Sequence, residues 1–294
     1  MHDLNDWKQS IPSRERGKVI LLGGSIVEHS FSIETGWGAA LSNWFGRTAD
    51  VINRGFSGYN SRWIKIILPR IFPQHDPTIM LTIIFLGSND SSDGSQCVPL
   101  QEFQSNLVEI VNYLRSAVNE RMKILFITPA IVDDTKWFDR NPQRTLQYAQ
   151  AVILATDELN YGHRRKPPAA VVSLWKPSAY NLPSDVKVHR LETGALEEMT
   201  LTDLQDGLHF NRVGSGKLFR NITKVIIEKF PHLVPNYIYE EFYGEGMEEN
   251  GKEENDLANF AGINDHYPHF FDLTNLTLTQ LSEAFEKWQW HEKS

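Results

Sequence analysis

The chain has 294 residues, of which 41% are hydrophobic and 22% are charged, with 29 basic and 37 acidic side chains. Most of its formal net charge of −8 lies in one segment, since residues 240–256 hold seven Glu, one Asp and one Lys. This balance excludes a broadly basic nucleic-acid binder, and the apolar fraction excludes an intrinsically disordered chain.

Apolar runs of strand length alternate with helical patterns along the first 230 residues. Buried strands are predicted at residues 18–22, 50–53, 78–86, 123–128 and 169–174. Their apolar residues do not alternate with polar ones, as is typical of strands buried on both faces. Helices are predicted at residues 36–47, 61–72, 99–120, 141–163 and 211–230. We therefore expect an α/β protein, a flavodoxin-like three-layer α/β/α sandwich around a parallel sheet of about five strands.

The pattern changes after the helix predicted at 211–230, which ends before Pro231 and Pro235. We divide the chain into a polar segment at 1–17, one domain at 18–235 and a C-terminal appendage at 236–294. The appendage combines the acidic linker 240–256 with a short helix at 278–290, and it is too small for a core of its own. Its aromatic side chains could mediate a homodimer or cover the sandwich: Tyr267, Phe270, Phe271, Trp288 and Trp290.

The cysteine content and the apolar runs favour a cytoplasmic location. A single cysteine, Cys97, excludes an intramolecular disulfide and a zinc site built on cysteines. Residues 1–17 lack the apolar stretch of a signal peptide. The longest apolar run, 79–86, is far shorter than the ~20 residues needed to span a bilayer, so we expect no membrane span.

Short polar motifs follow the first three predicted strands, where ligands bind in open parallel sheets. Gly23-Gly24-Ser25 ends the first strand, and its glycines permit a tight turn that exposes the Ser25 hydroxyl. Gly58 lies in the loop after the second strand, and Asn89, which carries an NH₂ donor, follows the third. Each motif alone is also typical of an ordinary loop, and the glycine spacings of the common phosphate-binding motifs are absent.

A fourth motif, 202–210, precedes the helix predicted at 211–230 and contains Asp206 and His209. In a turn, their spacing lets the carboxylate accept from one imidazole nitrogen while the other nitrogen faces a cleft. The alternative is a helix cap at Asp206 with a surface histidine. Asp203 is a second candidate for the acidic partner of His209.

The four motifs resemble the four sequence blocks of the SGNH (GDSL-type) hydrolase family, which carry Ser, Gly, Asn and His. The matching residues, in the same chain order, are Ser25, Gly58, Asn89 and His209. The resemblance covers residues 18–235. Within the family, the motifs are most similar to those of the isoamyl acetate-hydrolysing esterases. Three stretches carry this closer similarity: 36–41 (GWGAAL), 54–63 (RGFSGYNSRW) and 206–210 (DGLHF).

The resemblance implies a catalytic triad and an oxyanion hole. Ser25 would be the nucleophile, His209 the general base and then acid, and Asp206 the residue that orients the histidine. The Ser25 and Gly58 backbone N–H groups and the Asn89 side chain would bind the oxyanion. A serine hydroxyl needs such a base to become nucleophilic, and the mechanism requires neither a metal nor an organic cofactor.

The expected substrate is a small, uncharged ester with a short acyl group. Candidates for the pocket wall flank the first two motifs and are Gly24, His29, Phe56 and Tyr59. The alternative for His29 is a position on a helix surface. Aromatic walls suit a small apolar group. We therefore expect a serine esterase that cleaves acetate-type esters.

One position departs from the family, because the first block normally reads Gly-Asp-Ser and Gly24 replaces the aspartate. A carboxylate at this position can accept backbone N–H bonds and stiffen the loop, so its loss could slow the enzyme. A non-catalytic binding or scaffold protein with this fold is therefore an alternative hypothesis. An alcohol acyltransferase that uses the same triad is another.

Overall fold

The computed structural model describes residues 16–33, 36–161, 168–183, 186 and 195–235. The C-terminal appendage at 236–294, with its acidic linker, its predicted helix and its candidate dimer residues, lies outside the described residues. Most of the polar N-terminal segment, residues 1–15, also lies outside them.

Five parallel strands form one sheet in the order β2-β1-β3-β4-β5. The strands are β1 (Gly17–Gly23), β2 (Ala49–Gly55), β3 (Ile79–Phe85), β4 (Lys123–Ile127) and β5 (Ala169–Val172). This order is that of flavodoxin-like folds, in which ligands bind near the point where the strand order reverses. Here that point lies between β1 and β3.

Within the described residues, six α-helices connect or follow the strands. They are α1 (Ser25–Glu28), α2 (Trp37–Trp44), α3 (Ser61–Ile71), α4 (Leu100–Tyr113), α5 (Pro142–Asn160) and α6 (Arg212–Lys229). A π-helical turn, Leu114–Val118, extends α4 and lies within the helix predicted at 99–120. The four-residue helix α1 was not predicted. Among the described residues, no helix combines the length and apolarity needed to cross a bilayer.

The helices cover both faces of the sheet and enclose two apolar cores. On one face, α2 and α6 pack against Val19 and Leu21 of β1. On the other, α3, α4 and α5 pack against Ile20 and Leu22. Because successive strand residues point to opposite faces, a strand buried on both faces must be continuously apolar. The predicted three-layer sandwich with a five-stranded parallel sheet is confirmed.

Two glycines let helix α1 sit directly on the ends of β1 and β2. A Cβ on Gly55 would lie 2.0 Å from Glu28 N, and one on Gly23 would lie 2.6 Å from Val27 Cγ2 and 2.3 Å from Phe85 O at the end of β3. Asn53 Nδ2 donates to Val27 O and to Glu28 O, both at 3.0 Å. These contacts bring the loops after β1, β2 and β3 together at one edge of the sheet.

Candidate active site

Three predicted site residues form a continuous hydrogen-bonded chain. Ser25 is the first residue of α1, and its Oγ lies 2.7 Å from His209 Nε2. His209 Nδ1 lies 2.6 Å from Asp206 Oδ2. The His209 side chain is 20% exposed, so its ring is shielded on most sides and still accessible at the cleft.

A tight turn holds Asp206 and His209 in this arrangement. Asp206 Oδ1 accepts from Leu208 N at 2.9 Å and from His209 N at 2.8 Å, and Gly207 between them has a φ of +92°. Burial raises the pKa of Asp206, but the bonds from the His209 ring and from the backbone outweigh it and leave the pKa lowered. The carboxylate is therefore ionised and places the imidazole proton on Nδ1, which leaves Nε2 free to accept from Ser25.

The other acidic and capping candidates of this segment have different partners. Asp203 is buried, and its Oδ2 accepts from Lys217 Nζ at 2.8 Å and from Thr200 N at 2.9 Å. Helix α6 is capped by Asn211, whose Oδ1 accepts from two backbone N–H groups. Asp206 is thus the carboxylate in contact with His209.

The three candidate oxyanion donors lie on the loops after β1, β2 and β3. Asn89 is 7% exposed, and its Nδ2 donates to Tyr59 O at 2.9 Å, which leaves one of its two hydrogens free. Gly58 has a φ of +82°, a conformation that favours glycine. Within the described part of the chain, Ser25 N and Gly58 N donate to no other group. All three groups are therefore free to bind an oxyanion.

A small pocket opens beside Ser25, and about 280 Å³ of atom-free space lies in it and in the solvent at its mouth. Its lining includes Gly24, Ser25, Tyr59, Asn89 and Leu208.

Two further pocket candidates lie outside this lining. Phe56 packs on Tyr59 with ring centroids 5.3 Å apart. His29 is exposed and lies in a neighbouring cleft, with its ring 6.1 Å from that of His209. Among the described residues, no group of three or more His, Cys, Asp or Glu side chains is placed to hold a metal ion.

Comparison with known proteins identifies the family of this chain. The profile of the GDSL-like lipase/acylhydrolase family matches residues 21–215. The chain belongs to this family. The matched stretch contains the four blocks from which the resemblance was predicted, and that prediction is confirmed.

Several esterases of the family are similar over most of the chain. The isoamyl acetate-hydrolyzing esterase 1 homolog of Mus musculus is 34% identical over 232 residues, which cover 74% of this chain and 86% of the relative. The isoamyl acetate-hydrolyzing esterase of Saccharomyces cerevisiae is 33% identical over 232 residues, 74% and 89% of the two chains.

Solved structures support the fold. The lipase/acylhydrolase from Enterococcus faecalis superposes with a TM-score of 0.51 and 21% identity, and the match covers 71% of this chain and 95% of that chain. The acetyl xylan esterase AlAXEase gives a TM-score of 0.50 and 17% identity, with 71% and 100% covered.

This GDSL-like chain has a glycine where the first block normally has an aspartate. Gly24 has a φ of −91°, so its backbone conformation does not itself call for glycine. No side chain in the described part of the chain caps the start of α1. A Cβ on Gly24 would lie 3.1 Å from Asn89 Nδ2 and 3.4 Å from Tyr59 O. The residue at this position therefore borders both the nucleophile and an oxyanion donor.

Asp90 of the third block is fully buried and links two of the loops. Its Oδ1 accepts from Ser61 N at 2.8 Å, at the start of α3, and its Oδ2 accepts from Gly87 N at 3.2 Å. Burial raises the pKa of Asp90 to about 6, although these hydrogen bonds oppose the rise. An ionised Asp90 at neutral pH thus holds the Asn89 loop against the helix that follows the Gly58 loop.

The segment between β4 and α5 supplies residues that sequence reasoning missed. Trp137 Nε1 donates to Asp206 O at 3.1 Å, and Arg140 Nη2 donates to Asn89 Oδ1 at 3.1 Å. The Arg140 guanidinium lies 5.3 Å from the centre of the Trp137 ring. One short segment therefore contacts both the triad side and the oxyanion side of the site. Its sequence carries no motif that would have indicated this.

Proposed function

We propose that this protein hydrolyses small, uncharged carboxylic esters with short acyl groups through an acyl-enzyme on Ser25. The observation that carries the proposal is the hydrogen-bonded chain from Ser25 Oγ through His209 to Asp206, at the mouth of a small pocket. A hydroxyl in contact with an oriented imidazole is an activated nucleophile.

The first half of the reaction forms the acyl-enzyme. Ser25 Oγ attacks the ester carbonyl carbon while His209 Nε2 takes the hydroxyl proton. The tetrahedral intermediate then breaks its bond to the alkoxy oxygen, which leaves as the alcohol with the proton from His209. Asp206 stabilises the imidazolium that exists between these two steps.

The second half repeats the same proton transfers with water. His209 takes a proton from water as its oxygen attacks the acyl carbon, and it returns the proton to Ser25 Oγ when the carboxylic acid leaves. In both halves, negative charge develops on the former carbonyl oxygen. The Ser25 N–H, the Gly58 N–H and the Asn89 amide would bind that charge, and each such donor is typically worth about 2.7–4 kcal/mol.

The size and character of the site favour short acyl groups. The pocket beside Ser25 is small, and its walls combine Tyr59 and Leu208 with backbone of the glycine-containing loops. The relatives from mouse and yeast are named as esterases of isoamyl acetate, whose acyl group has two carbons. An acetyl group fits such a pocket more easily than a long fatty acyl chain.

The test is hydrolysis of p-nitrophenyl esters of two, four and eight carbons by the wild type and Ser25→Ala. We expect Ser25→Ala to lower kcat/KM for the acetate about 10³-fold or more, because it removes the nucleophile. For the wild type, we expect kcat/KM to fall at least about tenfold from the acetate to the octanoate.

Two results would contradict the proposal. A wild type no faster than Ser25→Ala would favour the scaffold alternative, and failure of a serine-reactive phosphonate to label Ser25 would support it independently. A rising kcat/KM with acyl length would reject the short-acyl specificity alone. Product analysis with added alcohol separates hydrolysis from acyl transfer, because the transferase would form a new ester.

A further inference from the structure

Arg140 is a buried cation beside the proposed oxyanion donors. It lies between β4 and α5, and only 5% of its surface is exposed. Its guanidinium donates to Ser88 O, to Asn89 Oδ1 at 3.1 Å and to Gln96 Oε1 at 3.1 Å. One side chain therefore binds three acceptors in the segment that follows β3.

The contact with Arg140 decides which way the Asn89 amide faces. A guanidinium has only donors, so the atom that it meets must be the oxygen, Oδ1. Nδ2 is thereby turned toward Tyr59 O and the pocket. A flipped amide would instead place an acceptor where the negative charge of the reaction develops. Arg140 thus selects the orientation in which Asn89 is a donor to the oxyanion.

The same guanidinium acts on the Gly58 loop through Gln96. Because Gln96 Oε1 accepts from Arg140, Nε2 is the atom that donates to Gly58 O, at 2.8 Å. Gln96 O also accepts from Asn60 Nδ2 at 2.9 Å. These bonds hold the loop in which Gly58 keeps its positive φ and its free N–H.

The charge of Arg140 lies where it can strengthen these hydrogen bonds. Burial lowers the pKa of Arg140, although the nearby Asp139 raises it, and an arginine remains protonated at physiological pH. Asp139 Oδ1 is 3.8 Å from Arg140 Nε, and the Asp139 side chain is 44% exposed. In surroundings of low dielectric, a cation on the amide oxygen polarises the amide and makes its N–H a better donor.

We propose that Arg140 is the positioning residue of the oxyanion hole, which orients the Asn89 amide directly and the Gly58 loop through Gln96. Arg140 does not touch the reacting atoms, and its effect passes through these two residues. The inference rests on the ester hydrolysis proposed above, because the oxyanion forms only in that reaction.

Steady-state kinetics with p-nitrophenyl acetate test this role in Arg140→Gln, Arg140→Lys and the matched control Arg144→Gln. Arg144 lies four residues further along and donates to Cys97 Sγ at 3.0 Å. We expect Arg140→Gln to lower kcat about 10²-fold with KM within about threefold, because the oxyanion is bound in the transition state. Arg140→Lys keeps the charge, and we expect it to lower kcat about tenfold. The kcat of Arg144→Gln should stay within about twofold of the wild-type value.

A double-mutant cycle with Asn89→Ala separates positioning from general support of the fold. If Arg140 acts mainly through Asn89, Arg140→Gln should lower kcat less than about fivefold in the Asn89→Ala background. A full loss of about 10²-fold in that background would overturn the proposal. So would a wild-type kcat in Arg140→Gln, or equal losses in kcat for Arg140→Gln and Arg144→Gln.

Circular dichroism and thermal unfolding establish which variants are folded. If Arg140→Gln does not fold, Arg140→Lys decides, and an unchanged kcat in a folded Arg140→Lys would overturn the proposal. The Ser25→Ala comparison keeps the two hypotheses apart. A wild type as slow as Ser25→Ala overturns both hypotheses. An active wild type whose kcat does not change when Arg140 is substituted overturns only the positioning role of Arg140.

Discussion

Gly24 leaves the nucleophile loop without the side-chain contacts that an aspartate would supply. The first turn of α1 has no side-chain cap, and Ser25 N is free within the described part of the chain. A carboxylate at this position can accept hydrogen bonds from such N–H groups. Its absence leaves Ser25 held by the His209 contact and by the packing of α1 on Gly55.

We expect Gly24→Asp to raise kcat for p-nitrophenyl acetate up to about tenfold. The carboxylate would restrict Ser25, and a misplacement of about 1 Å can lower a rate about 10²-fold. Gly24→Ala is the matched control, because it adds the same Cβ 3.1 Å from Asn89 Nδ2 without a carboxylate, and it should not exceed the wild type. If both variants lose activity equally, crowding of Asn89 is the dominant effect and glycine suits this site better.

Local patterns marked Ser25, Asn89 and the Asp206 and His209 pair only as candidates, because each motif alone is also typical of an ordinary loop. Their catalytic roles were predicted from the resemblance of the four blocks together to the SGNH family. Arg140 could not be proposed in this way. Its contact with Asn89 spans 51 residues, and a buried arginine in a loop looks in sequence like an exposed one. Only the fold shows that its charge lies behind the site.

Helix α1 exists because of its surroundings and not because of its own sequence. Four residues are far fewer than an isolated helix needs for stability in water. Asn53 holds the end of α1, and Gly55 admits its backbone at a distance that no Cβ allows. The element was therefore missed. The five strands were predicted to within a few residues from their continuous apolar runs, and the long helices from their apolar periodicity.

We expect Gly55→Ala to displace α1 and to affect both stability and catalysis. The added Cβ would lie 2.0 Å from Glu28 N, which is backbone and cannot swing aside. Overpacking of this kind typically costs about 1–3 kcal/mol of unfolding free energy. The shift of Ser25 should also lower kcat more than it changes KM.

Gly94→Ala is the control for this prediction, because a Cβ there would meet only Asp139 Oδ2, at an ordinary 3.7 Å. Urea unfolding and ester kinetics measure the two effects. Equal unfolding midpoints and equal kcat values for the two alanine variants would show that α1 does not depend on Gly55.

At the scale of the whole molecule, the charge separates from the proposed chemistry. The acidic residues 240–256 hold most of the net charge of −8, and every proposed site residue precedes residue 210. The two apolar cores involve residues up to Val234, and the family match ends at residue 215. We therefore propose that residues 18–235 are the catalytic domain and that the appendage is not needed for ester hydrolysis.

Truncation after Pro235 tests this boundary. We expect the shortened chain to keep kcat/KM for p-nitrophenyl acetate within about twofold, because the hydrogen bonds of the triad and of Arg140 with Asn89 join residues that all precede residue 210. Sedimentation velocity on both chains measures the role of the tail aromatics in assembly. A dimer that becomes monomeric on truncation assigns dimerisation to the appendage. A loss of activity beyond about tenfold in a folded, truncated chain would instead place part of the working site after residue 235.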